Sequence, residues 1–145
     1  MKNRSINAGD NWATPPELYN ALHEEFDFDH DPCPLFTGCT IPPDKDGLLT
    51  EWGYRNFVNP PYSLNLKTAF VKRAVEMKQR GRLSVLLLPV STSTKLFHDT
   101  IQPNATDIRF LRGRVKFIGV NTFGERVTNK CGMHDSMVVV LHPHR

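Results

Sequence analysis

Asn59-Pro60-Pro61-Tyr62 is the stretch of this chain whose residue types and spacing best support chemistry. Asn59 offers a side-chain carbonyl that accepts hydrogen bonds. Pro60 keeps a backbone carbonyl and has no N–H, so the loop presents acceptors. Two consecutive prolines fix φ and hold those acceptors in place before a substrate arrives. Tyr62 adds a flat ring on which a base can stack, worth about 1–3 kcal/mol. The set suits an amino or amide nitrogen, whose delocalised lone pair makes it a poor nucleophile. Accepting hydrogen bonds from that NH2 draws the nitrogen toward tetrahedral geometry. Neither a metal nor a strong base is needed, since the proton can leave afterwards. The plainer alternative is a Pro-rich turn at a strand end.

The elements around the tetrapeptide favour the chemical reading. Asn56-Phe57-Val58 is a short apolar run that predicts a strand ending at Asn59. The stretch from Leu64 to Arg80 predicts a helix with Phe70, Val71, Ala74, Val75 and Met77 on its apolar face, stopped by Gly81. Leu83 to Leu88 predicts a buried strand, and its unbroken apolar run suits a central parallel one. Upstream, Thr14-Pro15-Pro16-Glu17 predicts a helix start, with Thr14 as cap, Pro15 at the first position and Glu17 closing a capping box. Leu18, Leu22 and Phe26 then share one face. Phe28 to Asp31 is a short strand candidate, and the Pro-rich residues 32–46 predict an irregular loop. A short helix is expected from Thr94 to Ile101, strands at 108–111, 115–118 and 137–141, and a long loop over 119–134. Strands alternating with helices predict an α/β fold with a mostly parallel sheet. Ligands then bind beyond the strands' carboxyl ends, where Asp31, Asn59 and Pro89 fall.

The 145 residues fit one domain. No apolar run reaches the ~20 residues that span a bilayer. Residues 1–9 are expected to form a flexible arm without the apolar core of a signal peptide. Cys33, Cys39 and Cys131 are an odd number without framework spacing, which suggests free thiols in a reducing compartment. With His30 and His134 they match no standard zinc spacing, so no metal is expected. Charge is divided: residues 1–62 carry 4 Lys/Arg against 10 Asp/Glu, and residues 63–145 carry 14 against 5. The basic half suits a polyanion and the acidic half a cationic ligand. Lysine- and arginine-rich helix surfaces are the ordinary alternative.

With these residues placed, residues 9–141 resemble the phage-type DNA N-6-adenine methyltransferase family. Asp10-Asn11-Trp12-Ala13-Thr14-Pro15 resembles its opening motif, which lines the S-adenosylmethionine (SAM) site. Asp31-Pro32-Cys33-Pro34 stands at its acidic Pro-rich cofactor motif. Asp46-Gly47-Leu48, with Trp52 downstream, resembles the acidic position that reads the cofactor's adenine. Asn59, Pro60, Pro61 and Tyr62 resemble the catalytic loop. Leu88-Pro89 through Phe97-His98 resembles the next strand and helix, and Gly113 to Phe117 the segment whose aromatic packs on a flipped base.

The resemblance implies a reduced Rossmann-like SAM-dependent methyltransferase fold with an antiparallel C-terminal strand. It implies transfer of a methyl group from SAM to N6 of an adenine flipped from duplex DNA, in the cytoplasm. Trp12, Thr14, Pro15, Asp31, Pro32, Asp46 and Asn59 would hold the cofactor. Tyr62 and Phe117 would sandwich the base, with Arg112, Arg114, Lys116, Arg126 and Lys130 on phosphates. The chain departs from the pattern in two ways. The expected Gly-x-Gly loop is replaced by prolines and Gly38, and only 14 residues separate Asp31 from Asp46. That spacing is too short for two strands with crossover helices, so a strand and a helix are expected to be missing. No separate target-recognition domain is expected. An RNA base, a protein glutamine amide or a non-catalytic nucleic-acid-binding role remain the alternatives.

Overall fold

A computed structural model describes residues 3–5, 12–35, 40–120, 126–131 and 134–143, with no side-chain detail for 119–120 and 126–131. Its centre is a four-stranded sheet of β4 (Arg55–Val58), β5 (Leu83–Pro89), β9 (Ser136–Leu141) and β6 (Asp107–Phe110), in that order. β4 and β5 pair in parallel, and β9 is antiparallel to both β5 and β6. Thus β4, β5 and β6 run one way and the C-terminal strand runs against them, as expected. Only one of the three ladders is parallel, so the sheet is mixed rather than mostly parallel. Central β5 has one parallel and one antiparallel neighbour because the last strand inserts between β5 and β6.

Alternation sorts the sheet's side chains into two cores. Leu86, Leu88, Met137, Val139 and Leu141 face α2 (Leu64–Gln79) through Phe70, Val71, Ala74 and Met77. Val85, Leu87, Val138 and Val140 face the opposite core with Leu22 of α1 (Pro16–Phe26), Phe28 and Phe117. Both faces are covered, which is why β5 and β9 read as unbroken apolar runs. Helix α2 is capped by Arg80 and followed by Gly81, whose φ of 82° suits a residue without Cβ. After β5 come a π-helical turn, Leu96–Ile101, and a short α3 (Gln102–Asn104), where one regular helix was expected. Among the described residues no helix is long and apolar enough to cross a membrane.

Four local expectations are corrected. Residues 119–134 do not form one long loop: β7 (Lys116–Val120) and β8 (Arg126–Cys131) pair antiparallel, and β2 (Trp12–Ala13) adds to β7. Polar strand residues carry no apolar alternation, so composition read as loop. The 28–31 strand shrinks to one parallel bridge, His30 to Asn56. Helix α1 is capped by Pro15 with no side-chain bond, so neither Thr14 nor Glu17 forms the expected capping box. The arm is tied down in part: β1 (Arg4–Ser5) pairs with β3 (Thr40–Ile41). The remainder of the arm, apart from Asn3, lies outside the described residues.

Candidate active site

Because β4, β5 and β6 point the same way, the loops that follow them open at one edge of the sheet. The His30–Asn56 bridge is parallel, so Asp31 reaches that edge too. Asn59 leaves β4 there, and its amide is clamped. Nδ2 donates to the Trp12 carbonyl at 3.1 Å and to Thr14 Oγ1 at 3.0 Å. A carbonyl oxygen can only accept, so the nitrogen must be the atom facing Trp12. Both amide hydrogens are thereby used, and Oδ1 is presented as a fixed acceptor. Trp12 is carried by β2, whose pairing with β7 sets its depth.

A cleft of about 200 Å³ adjoins Asn59 and is lined by Trp12, Ala13, Thr14, Tyr19, Asp31, Cys33, Leu35 and Phe57. A second, of about 430 Å³, is bordered by His30, Asp31, Pro32, Pro34, Asp44, Lys45, Thr50 and Glu51. Asp31 belongs to both walls, so the two adjoin. Its Oδ1 accepts from the Cys33 N–H at 2.9 Å. Desolvation pushes its carboxyl up to about 6, against the lowering effect of that bond. The residue is nevertheless open to solvent. The two fit together because a carboxyl in a concave wall touches water while protein surrounds it. Desolvation also lowers the neighbouring His30, with the Asp29 charge opposing.

Tyr62 is half-buried, and its hydroxyl is pushed up to about 12 by burial, so it stays neutral at ordinary pH. Its ring meets Phe117 edge-on at 5.8 Å and 87°. Phe117 is 3 % exposed. It belongs to the core behind Tyr62 and braces that ring. Pro60 is buried and Pro61 half-buried.

Of the expected cofactor residues, Trp12, Thr14, Asp31 and Asn59 meet in one cleft and Pro32 lines the next. Pro15 instead accepts from the Tyr19 N–H at the start of α1. Asp46 borders neither cleft: it is buried and paired with Arg4. Arg112, Arg114 and Lys116 are exposed near the same sheet edge, with Arg114 3.6 Å from Asp135. Arg126 and Lys130 lie on β8, and their side chains are outside the described residues, as are Asp10, Asn11 and Cys39. Tyr19, Asp44 and Glu51 line the clefts without having been singled out for it. Tyr19 sits one turn into a helix whose start is Pro-marked, a signal that could have found it.

The family model described as DNA N-6-adenine-methyltransferase (Dam) matches residues 2–145. No curated protein and no solved structure matches the chain.

Proposed function

From the chain's membership of the DNA N-6-adenine-methyltransferase (Dam) family, to which it belongs over residues 2–145, we propose a SAM-dependent enzyme acting on N6 of adenine in DNA. The observation that carries the reading is the clamped Asn59 amide beside a cleft walled by Trp12, Thr14 and Asp31. The donor set suits SAM: a carboxylate for a cationic ligand and the rings of Trp12 and Tyr19 for an adenosyl group and a sulfonium. We read the fold as a reduced Rossmann-like methyltransferase, with the reversed last strand in support.

The chain's residues then act in a simple order. Tyr62 stacks on an adenine flipped out at a cost of a few kcal/mol, and Phe117 holds the Tyr62 ring from behind. Asn59 Oδ1 and the Pro60 carbonyl accept from the amino group and orient its nitrogen. When bound, SAM would supply an electrophilic methyl group; the nitrogen's lone pair would form the new N–C bond as the methyl's C–S bond breaks, its electron pair leaving on the neutral thioether. Solvent then removes the surplus proton, so no side chain need serve as a strong base. Exposed Arg112, Arg114 and Lys116 contact phosphates and favour DNA over a protein amide.

The test is transfer of label from methyl-labelled SAM to unmethylated DNA. The expected result is N6-methyladenine from the wild type and its near loss in Asn59→Ala. No incorporation, label appearing on protein instead, or full retention in Asn59→Ala overturns the reading.

A further inference from the structure

Asp46 borders neither cleft, yet the turn it begins is built against their shared wall. Its Oδ1 accepts from the Leu48 N–H at 3.0 Å, and its Oδ2 from Arg4 Nε at 3.0 Å. The Arg4–Asp46 pair is largely sheltered, with side chains 18 % and 4 % exposed. The Arg4 guanidinium also lies 5.6 Å from the centre of the Phe70 ring. Gly47 follows. A Cβ there would stand 1.8 Å from the Pro32 carbonyl oxygen, a backbone atom that cannot swing aside. The Gly47 carbonyl accepts from Trp52 Nε1 at 2.7 Å, which ties the turn to a buried ring. Gly53 repeats the device: its Cβ would lie 2.3 Å from Asp29 Oδ1 and 2.6 Å from His30 Cβ. Residues 29–32 therefore rest against two glycines, with Asp31 between the contacts.

We infer that Arg4, Asp46 and Gly47 are positioning residues for Asp31. The ion pair fixes the turn, and the bare glycine lets the turn seat against Pro32, which sets where the Asp31 carboxylate stands. Glycine at 47 on the facing turn thus allows the close backbone approach to Pro32. The inference rests on reading the cleft as the cofactor site and gives Asp46 an indirect role there.

Two measurements separate this inference from that reading. The first is the Asp31 titration, followed by carboxyl-carbon NMR on the ligand-free protein. Asp31 shares its two clefts with His30, Asp44, Lys45, Glu51, Tyr19 and Cys33, all unchanged in the variants. Gly47→Ala should move the midpoint from about 6 toward 3.8 as the wall is pushed into solvent. Gly81→Ala, strained by its φ of 82° but meeting nothing within 4 Å, controls for general destabilisation and should leave the midpoint unchanged. The second is SAM titration by calorimetry. Gly47→Ala should weaken binding at least tenfold.

Should Gly47→Ala fail to fold, Arg4→Ala, Asp46→Asn and their double variant replace it. All three should lose the same affinity, because either change frees the same turn, and Arg4→Lys should retain most of it. An unmoved Asp31 midpoint overturns the inference. So does a further loss on adding Asp46→Asn to Arg4→Ala, which would make Asp46 a direct ligand contact. If the wild type binds no SAM, the cofactor reading fails and the NMR titration alone decides the positioning role.

Discussion

On the proposed reading, Asn59 acts through the direction of one amide. Its nitrogen is held by residues 47 and 45 positions away in sequence, which leaves Oδ1 aimed as an acceptor. Removing a prepositioned hydrogen-bonding group from a reacting centre costs about 10²–10³ in kcat. Asn59→Ala is predicted to lose that much under saturating DNA and SAM. Thr14→Val removes one of the two clamps and is predicted to lower kcat by about tenfold on the same argument, with little change in KM for DNA. Asp31 supplies a pH dependence. Its carboxyl is neutral below about 6 and charged above, so affinity for cationic SAM should rise between pH 5 and 7.5. That rise should vanish in Asp31→Asn, as read by calorimetry. The stability effect has the opposite sense. The folded value exceeds the ordinary 3.8, so Asp31's stabilising contribution is full below about pH 4 and lost as pH passes 6. Asp31→Asn should therefore melt above wild type at pH 7, with the gap closing near pH 4.

At the scale of elements, most of what was legible had local periodicity. Helix α2 and strands β4, β5, β6 and β9 stand within a residue or two of their expected places, because apolar spacing marks a face that must be buried. Strand β7 was legible too, expected at 115–118 and found at Lys116–Val120, but its hairpin partner β8 was not, because strand pairing is non-local and the β8 sequence does not alternate. The same hairpin buries Phe117 against Tyr62. Phe117→Ala should destabilise the protein by about 3–5 kcal/mol, measurable by urea unfolding, because it empties a packed core site. Its loss of activity should be repaired more by Phe117→Leu than by a polar residue. The arm carries an independent prediction. Deleting residues 1–5 removes β1 and leaves Asp46 without its cation. Such a break costs about 3 kcal/mol, and Asp46→Asn in the shortened chain should recover part of it.

On the proposed reading, chemistry across the whole molecule is divided between the two halves of the chain. The acidic first half supplies Asp31, and Trp12, Thr14 and Asn59 with it, while the basic second half supplies Arg112, Arg114 and Lys116. The common direction of β4, β5 and β6 brings both to one edge of the sheet. DNA affinity should therefore fall steeply with salt. Each phosphate contact adds about 0.9 to the slope of log K against log salt. Replacing all three basic residues with Ala should flatten that slope by about 2–3, as measured by fluorescence anisotropy across salt concentrations, with the Asn59 clamp untouched.

The sequence by itself determined the kind of chemistry available, the helix and strand faces that must be buried, and the order of the motifs. Those follow from residue type and short-range spacing. Tertiary structure alone decided which way the Asn59 amide points, that Phe117 is buried edge-on against Tyr62, and that Asp46 pairs with Arg4. Each of these depends on partners distant in the chain, brought together only when the sheet pairs and its two faces close. No local pattern encodes them, because a side chain's partner is chosen by packing across the fold and not by its neighbours in sequence.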